Sequence, residues 1–211
     1  MQDIYPVFEK FLQKEDRERL LGQRAKVIWI TGLSGSGKTT LAKALENELH
    51  LRGFKSYVLD GDNVRTGLCK DLGFMEKDRD ENIRRVAETA KLFLDAGIIT
   101  ICSFITPLEK QRQLARNIIG KANMILVFLN TPLHVCEQRD FKGLYSKAKR
   151  GELENFTAVN APYEKPADPD IILNTENRKL YDTVIELLGK ILPEVTYIFN
   201  EQPRQYEQYN I

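Results

Sequence analysis

The chain contains one strongly diagnostic stretch, Gly32-Leu33-Ser34-Gly35-Ser36-Gly37-Lys38-Thr39-Thr40. It follows the apolar run Val27–Ile30 and precedes an amphipathic segment, Leu41–Leu49, which gives the order strand, glycine-rich loop and helix. The spacing fits G-x-x-x-x-G-K-[ST], in which small residues let consecutive backbone N–H groups surround a phosphate chain at a helix N-terminus. The pattern predicts that Lys38 reaches the β- and γ-phosphates and that Thr39 ligates Mg²⁺.

Length and charge restrict the remaining possibilities. A chain of 211 residues with 42% hydrophobic content can bury one sizeable core, which suits a single α/β domain with short extensions. Lys and Arg together number 31 against 30 for Asp and Glu, so the net charge is +1. This balance provides no broad basic surface for nucleic acid or an anionic membrane. We therefore expect a small ligand that is recognised locally.

Cysteine and histidine are sparse and dispersed. The three cysteines, Cys69, Cys102 and Cys136, are far apart and never form C-x-x-C, which argues against a disulfide framework or a zinc site. We expect buried thiols in a reducing cytoplasm. The two histidines, His50 and His134, are far apart in sequence, and no metal site is expected on them.

The N-terminal arm, residues 1–24, has the period of an amphipathic helix. Its apolar side chains recur at the i, i+3, i+4, i+7 and i+8 positions: Ile4, Val7, Phe8, Phe11 and Leu12. The arm holds five acids and five bases, which excludes a signal or transit peptide. Two interpretations stay open, a dimer contact or packing against its own domain. No apolar run approaches the roughly 20 residues of a membrane span.

Four further apolar runs predict buried strands, at residues 56–59, 98–104, 124–129 and 171–173. Helical periodicity occupies the intervals, most clearly over Asp80–Ala96 and Leu180–Leu192. Alternation of buried strands with helices of this length predicts a mostly parallel five-stranded sheet with helices on both faces. In such folds ligands bind beyond the carboxyl ends of the strands.

Those strand ends are polar. Asp60 and Asp62 follow the second run, and residues 103–106 and 130–132 follow the third and fourth. Asp60 or Asp62 alone could be a turn former or a helix cap. As a pair after a strand that could lie beside the phosphate loop, one could accept a proton from an attacking hydroxyl while the other holds Mg²⁺ waters or the acceptor.

A basic segment with turn-like sequence follows the fourth strand. Five bases fall between residues 139 and 150, and residues 155–166 are turn-like. The bases could form a solvated helix face. In a phosphate-transfer enzyme they would suit a lid that closes over the triphosphate and excludes water. Phe74 and Phe156 lie in polar, loop-like settings, where they are either core side chains or stacking contacts for a ligand.

The motifs together are similar to those of the adenylylsulfate kinase family. The similarity runs in order from about residue 18 to about residue 190 and includes residues 60–65, 71–74, 78–85, 104–107, 136–140, 142–145 and 162–164. It implies a three-layer P-loop NTPase and kinase fold with a mobile lid. The implied reaction is transfer of the ATP γ-phosphate to the 3′-hydroxyl of adenosine 5′-phosphosulfate. The family is typically cytoplasmic and dimeric and uses Mg²⁺ with ATP.

The resemblance also implies site residues. On the ATP side they are Gly32, Leu33, Ser34, Gly35, Ser36, Gly37, Lys38, Thr39 and Thr40, with Arg139, Asn174 and Thr175 near the adenine. On the acceptor side they are Asp60, Asp62, Asn63, Arg65, Phe74, Arg79, Asn82, Ile105, Thr106, Lys142 and Phe156. In this scheme Lys38, Asp62 and Asp60 act in catalysis, Thr39 binds the metal, and Phe74 and Phe156 enclose the acceptor adenine.

Two routes of transfer are compatible with the sequence. Many bacterial members of the family have Ser where this chain has Thr106, and that position is associated with a phosphoenzyme. We favour direct attack assisted by Asp62, because the methyl group of threonine restricts its rotamers and no histidine lies nearby in sequence to activate its hydroxyl. Asp60 is the reserve candidate for the base.

Two other functions share part of this pattern. A kinase for another small metabolite shares the phosphate loop but leaves Phe74, Arg79 and Asn82 without a reason. A nucleotide-dependent switch of the GTPase type should contain N-K-x-D, which this sequence lacks. We divide the chain into an arm (1–24), a kinase domain (25–193) with a lid at about 142–165, and a tail (194–211) with no assigned role.

Overall fold

The computed structural model describes residue 5 and residues 7–198. The strands are β1 (Val27–Thr31), β2 (Ser56–Asp60), β3 (Ile99–Ser103), β4 (Met124–Leu129) and β5 (Ile171–Leu173). The α helices are α1 (Lys14–Leu21), α2 (Lys38–Leu51), α3 (Gly61–Val64), α4 (Glu76–Asp95), α5 (Glu109–Ile119), α6 (Leu133–Arg139), α7 (Leu144–Lys149) and α8 (Leu180–Val195). Short 3₁₀ turns occupy Phe8–Lys10 and Lys121–Asn123.

The five strands form one parallel sheet in the order β2-β3-β1-β4-β5. The central strand β1 pairs with β3 on one side and with β4 on the other. The predicted parallel sheet of five strands is therefore confirmed. Strand β2 does not pair with β1, because β3 lies between them; in register, Asp60 at the end of β2 pairs with Ser103 at the end of β3.

Two apolar cores lie on opposite faces of the sheet. In β1, Ile28 and Ile30 pack with buried side chains of α2 and α8, whereas Val27 and Trp29 pack with those of α4 and α5. Side chains of a strand alternate between faces, so a continuous apolar run can supply both cores at once. The result is a three-layer α/β domain whose strands all end at the same edge.

Helix α4 differs from its expected bounds. It begins at Glu76 rather than Asp80, and Glu76 and Asp78 lie in its first turn. Acidic side chains stabilise a helix N-terminus through the helix dipole, which explains why the helix extends beyond its apolar period. Helix α8 likewise continues to Val195.

The N-terminal arm also differs. Ile4 lies outside the described residues. Residues 7–12 do not form the expected helix; instead Phe8–Lys10 make one 3₁₀ turn. The apolar side chains of residues 7–12 are exposed. The α-helix begins at Lys14 and ends at Leu21, with Gly22 as its C-cap, and Glu18 within it accepts from the backbone N–H of Ala25 over 2.7 Å. None of the helices in the described ranges is long and apolar enough to cross a membrane.

Candidate active site

A cavity of about 890 Å³ lies at the carboxyl edge of the sheet. It is lined by the predicted site residues with four exceptions, Gly32, Leu33, Asn63 and Asn174. Leu33 and Asn174 line a separate cavity of about 680 Å³ beside β4. The structure thus brings together the phosphate loop, the acidic end of β2, both phenylalanines and the basic segment, which are far apart in sequence.

The phosphate loop requires glycine by geometry. Gly35 has φ +74°, and a Cβ atom there would lie 2.8 Å from the carbonyl oxygen of Cys136. Gly37 has φ +98° and directly precedes α2. Both positions have a left-handed backbone that favours glycine, and at Gly35 there is also no room for a side chain. These two residues place the N-terminus of α2 at the cavity, where it can bind phosphate.

Lys38 folds back over the phosphate loop. Its Nζ donates to the carbonyl oxygens of Gly32 over 3.0 Å and Leu33 over 2.7 Å. Burial lowers the pKa of this ammonium group to about 8, although nearby Cys136 and Asp60 favour its charged form. The charge is therefore incompletely compensated, and an anionic ligand would stabilise it.

Asp60 connects the phosphate loop to the next catalytic candidate. Its Oδ2 accepts a hydrogen bond from the hydroxyl of Thr39 over 2.8 Å, and its Oδ1 accepts from the backbone N–H of Asp62 over 3.1 Å. The second contact is the N-cap of α3. The helix-cap interpretation of Asp60 is thus correct, and the same buried carboxylate also lies beside the predicted metal ligand.

Asp62 and Lys142 form an ion pair across the cavity, although 80 residues separate them in sequence. The hydrogen bond to Asp62 raises the pKa of Lys142. Both side chains are largely exposed to solvent. The basic segment therefore contacts the acidic strand end, and the pair is exposed enough to exchange partners.

Arg79 joins the two segments that carry the phenylalanines. Its Nε donates to the carbonyl oxygen of Phe74 over 2.9 Å and its Nη1 to the hydroxyl of Thr157 over 2.8 Å, while Nη2 donates to the carbonyl of Asn155. Burial lowers the pKa of its guanidinium group. Arg79 therefore joins the residues just before α4 to the segment around Phe156 by hydrogen bonds.

The two phenylalanine rings have separate partners. The guanidinium of Arg65 lies over the ring of Phe74, 4.4 Å from its centroid, and Phe74 is 60% exposed. Phe156 meets Tyr145 edge to face with centroids 5.0 Å apart. The hydroxyl of Tyr145 in turn donates to the carbonyl of Ser34 over 2.9 Å. Tyr145 therefore connects the Phe156 segment to the phosphate loop.

At the adenine end predicted for ATP, Arg139 contacts the strand end after β5. Its Nη1 and Nη2 donate to the hydroxyl and the carbonyl oxygen of Thr175, over 3.1 and 2.8 Å. The hydroxyl of Thr175 donates to the carbonyl of Ser36 over 3.2 Å. Arg139 and Thr175 are brought together as predicted, whereas Asn174 faces the second cavity.

Three buried polar atoms on the cavity wall lack a hydrogen-bond partner among the described residues: Oγ of Ser36, Oδ1 of Asn82 and Oγ of Ser103. An unpaired buried polar atom is costly, so such atoms in a cavity are suited to a polar ligand or water. Asn82 was predicted from the sequence. Ser36 was predicted as part of the phosphate loop, and Ser103 was predicted only as part of a polar strand end.

Three residues around Thr106 were not predicted as site residues: Trp29, Thr31 and Arg112. The indole Nε1 of Trp29 donates to the hydroxyl of Thr106 over 2.9 Å, and Nη1 of Arg112 donates to its carbonyl over 2.8 Å. A usable signal was present for Trp29, because a tryptophan in the middle of a buried strand needs a partner for its N–H.

A phosphate loop after the central strand of this parallel sheet, with an acidic strand end beside it and a basic segment opposite, defines a P-loop kinase. The adenylylsulphate kinase family model matches residues 24–174. The chain belongs to the adenylylsulfate kinase family and is a phosphotransferase.

Relatives and solved structures agree with this family. An adenylyl-sulfate kinase of Bacteroides thetaiotaomicron is 54% identical over 192 residues, which cover 91% of this chain and 96% of the relative. One from Clostridium acetobutylicum is 51% identical over 183 residues, covering 85% and 91%. The Mycobacterium tuberculosis APS kinase CysC in complex with AMPPNP and APS superposes with a TM-score of 0.76 at 44% identity, covering 79% of this chain and 96% of that one.

Proposed function

We propose that the 890 Å³ cavity transfers the γ-phosphate of ATP to the 3′-hydroxyl of adenosine 5′-phosphosulfate, giving ADP and 3′-phosphoadenosine 5′-phosphosulfate. The observation that carries this proposal is that one cavity contains a phosphate loop, a carboxylate pair and two aromatic rings with arginines. An acceptor with a base, acidic groups and a sugar hydroxyl needs stacking surfaces, cations and a carboxylate, respectively.

On the ATP side, residues 32–40 surround the triphosphate and Lys38 contacts its β- and γ-phosphates. The incompletely compensated ammonium of Lys38 supports this role, because its charge gains a further partner when the triphosphate binds. Arg139 and Thr175 border the adenine, and their mutual hydrogen bonds give that end of the cavity a defined shape.

The residues near Thr39 fit Mg²⁺. The Thr39 hydroxyl and the Asp60 carboxylate, 2.8 Å apart, are hard oxygen donors. Mg²⁺ in kinases is typically held by one or two protein oxygens together with substrate phosphates and water, which agrees with so small a protein ligand set. Thr39 would bind the ion directly and Asp60 through water. When bound, the ion neutralises charge on the transferred phosphoryl group.

For the transfer itself, Asp62 accepts the proton of the acceptor 3′-hydroxyl. The hydroxyl oxygen forms a bond to the γ-phosphorus while the bond from that phosphorus to the β-γ bridging oxygen breaks, and ADP leaves. The exposed ion pair with Lys142 supports this role, because the acceptor can replace the ammonium at Asp62.

On the acceptor side, Phe74 and Phe156 enclose the adenine, Arg65 and Asn82 bind its polar groups, and Ile105 and Thr106 contact it through the backbone. Arg79 holds the two aromatic segments together, as its contacts with Phe74 and Thr157 suggest. Asn63 is assigned to the acceptor side only by the family pattern. Residues 142–165 close over both nucleotides.

We further propose a cytoplasmic homodimer. Cys69, Cys102 and Cys136 are buried free thiols, as expected in a reducing compartment. The exposed apolar side chains of Phe8 and Phe11 favour a dimer contact for the arm. Light scattering of the full chain, with Phe8→Asp/Phe11→Asp as the comparison, tests this; an unchanged mass would exclude these residues from the contact.

The reaction is tested by incubating the purified chain with ATP, Mg²⁺ and adenylylsulfate and measuring ADP and 3′-phosphoadenosine 5′-phosphosulfate together. We expect equal amounts of both products and no ADP without the acceptor. Lys43→Ala, which changes an exposed lysine on the same helix as Lys38, is the matched control for Lys38→Ala. Equal turnover of a sugar acid or a nucleoside monophosphate would favour a different kinase.

A further inference from the structure

The acceptor side of the cavity contains a backbone conformation that threonine rarely adopts. Thr106 has φ +41° and is only 2% exposed. Left-handed backbone is unfavourable for β-branched residues and persists only where the surrounding structure enforces it. The groups that enforce it lie on three different elements.

Three side-chain donors fix the backbone and side chain of residues 105 and 106. Besides the Trp29 and Arg112 bonds to Thr106, the hydroxyl of Thr31 donates to the carbonyl of Ile105 over 2.5 Å. Trp29 and Thr31 lie on the same strand, β1, which also leads directly into the phosphate loop. Strand β1 therefore leads into the phosphate loop on the ATP side and also fixes the loop of residues 105–107 on the acceptor side.

The donors are themselves held rigidly. Trp29 is fully buried in the centre of the sheet and stacks on Phe104 with centroids 5.6 Å apart. Arg112 is 1% exposed, and its Nη2 lies 2.8 Å from the carboxylate of Glu109. A buried arginine is uncommon, and here its charge is paired while a remaining N–H is directed at Thr106.

From the opposite side, the chain that follows the basic segment contacts the same loop. The backbone N–H of Glu164 donates to the carbonyl of Pro107 over 2.8 Å, and the Glu164 carboxylate accepts from the backbone N–H of Glu109 over 2.6 Å. The loop of residues 105–107 is thus enclosed by β1, by α5 and by residue 164, and its remaining side lines the cavity.

We infer that Trp29 and Arg112 are positioning residues for the acceptor: they fix residues 105–107 in the single conformation that meets adenosine 5′-phosphosulfate. This inference rests on the proposed function, which places that loop on the acceptor side. It also assigns the Thr106 hydroxyl a purpose. The oxygen accepts from an indole N–H and orients the loop, rather than attacking the γ-phosphorus.

Trp29→Phe tests this inference, because phenylalanine keeps an aromatic ring in the core and removes the N–H donor. We expect the KM for adenylylsulfate to rise about tenfold and the KM for ATP to stay within about twofold of wild type. Tyr57→Phe, which removes a polar group from an exposed aromatic side chain on β2, is the control and should leave both constants unchanged.

Thr106→Val and the double variant Trp29→Phe/Thr106→Val complete a cycle. Each single change leaves one buried polar partner unpaired, whereas the double change removes both. We therefore expect the two effects on the adenylylsulfate KM to be clearly less than multiplicative. If Thr106 instead carried the phosphoryl group, Thr106→Val would abolish kcat whether or not Trp29 was changed, and the inference would be wrong.

Trp29 also provides a readout that does not depend on turnover, since it is the single tryptophan of the chain. We expect its fluorescence to change when adenylylsulfate is added and not when a non-hydrolysable ATP analogue is added alone. In Thr106→Val the free protein should already differ in emission from wild type, and the response to adenylylsulfate should be reduced.

Arg112→Met tests the second donor, with Arg112→Lys as the conservative comparison. Thermal unfolding establishes that each variant is folded before its kinetics are compared. If the ATP and adenylylsulfate KM values rose by the same factor in folded Trp29→Phe and Arg112→Met, the two residues would have a general structural role and the inference would be wrong. It would also be wrong if neither KM changed. Wild-type protein that fails to turn over adenylylsulfate would instead contradict the proposed function.

Discussion

The hydroxyl of Thr39 donates a hydrogen bond to Oδ2 of Asp60 over 2.8 Å. This bond joins the first turn of α2, the helix that follows β1, to the end of β2. Strands β1 and β2 are not neighbours in the sheet, because β3 lies between them. Strand ends that do not pair can still meet above the sheet edge when a helix begins there. The contact places the predicted metal ligand and the buried carboxylate at one point of the cavity.

Lys38→Ala should lower kcat/KM by on the order of 10²-fold or more, because the triphosphate loses a preorganised cation. Steady-state assays with saturating adenylylsulfate measure the loss. Lys43→Ala, on the same helix and exposed, should behave like wild type. Wild-type turnover by folded Lys38→Ala would contradict the assignment of the phosphate loop.

The affinity for ATP should depend on pH through Lys38. Its pKa is about 8 in the free protein because burial disfavours the ammonium form, whereas ATP binds that charged form. The contribution of Lys38 to ATP affinity should therefore be complete well below pH 8. Above pH 8 the affinity for ATP should fall by up to about tenfold per pH unit. Titration with a non-hydrolysable ATP analogue at pH 7, 8 and 9 measures the effect. Equal affinity at pH 7 and 9 would contradict it.

Asp62→Asn should lose on the order of 10² to 10⁴-fold in kcat, the usual contribution of a general base. The amide keeps the size of the side chain but cannot accept the proton. Thr106→Ala should keep most of kcat while its KM for adenylylsulfate rises, because the loop loses the contact with Trp29. Near-normal turnover by Asp62→Asn, or a kinetically competent phosphothreonine at position 106 after incubation with ATP alone, would overturn the direct route.

Phe74→Ala and Phe156→Ala should each weaken adenylylsulfate binding by roughly 1 to 3 kcal/mol, the contribution of a base stacked on an aromatic ring. Separate KM values for the two substrates test this, and the ATP value should change little. Leu92→Ala, an exposed apolar side chain on α4, is the control for loss of surface area. An equal change in the ATP value would indicate that the rings serve the core instead.

Residues 142–165 should become protected from hydrogen exchange when ADP and adenylylsulfate are both present. Lys142 is exposed and tied to the domain through its ion pair with Asp62, which can be exchanged for ligand contacts. Mass spectrometry of peptides from this segment measures the change, and peptides from β1 serve as the reference. No added protection in the segment would remove the lid from the proposal.

Much of the fold was predictable from local sequence. The phosphate loop is a contiguous pattern whose chemistry depends on small residues at fixed spacing, and the buried strands are apolar runs bounded by polar turns. The arm was not predictable in the same way. Residues 7–12 have helical apolar period, yet they form no α-helix in the single chain, because period alone does not supply a surface to cover them.

For the site, local motifs identified individual residues, whereas the contacts between them depend on the tertiary structure. Lys38, Thr39 and the aspartate pair Asp60 and Asp62 belong to short motifs, so sequence identified them. The contacts of Thr39 with Asp60, of Asp62 with Lys142 and of Arg79 with Thr157 required the tertiary structure, since each joins segments at least 21 residues apart. Sequence favoured Asp62 over Asp60 as the base, and the structure adds a physical difference between them: Asp60 is buried against Thr39, whereas Asp62 is exposed and paired with Lys142.

The sequence by itself determined the phosphate loop, the order of buried strands and helices, and the family, because these depend on local spacing and on motifs in a fixed order. Only the tertiary structure decided which polar strand ends meet, and that Trp29 and Arg112 enclose Thr106 in a left-handed conformation. The physical reason is that a buried donor acquires a role only from the acceptor that packing brings within reach, and no local pattern records that distance.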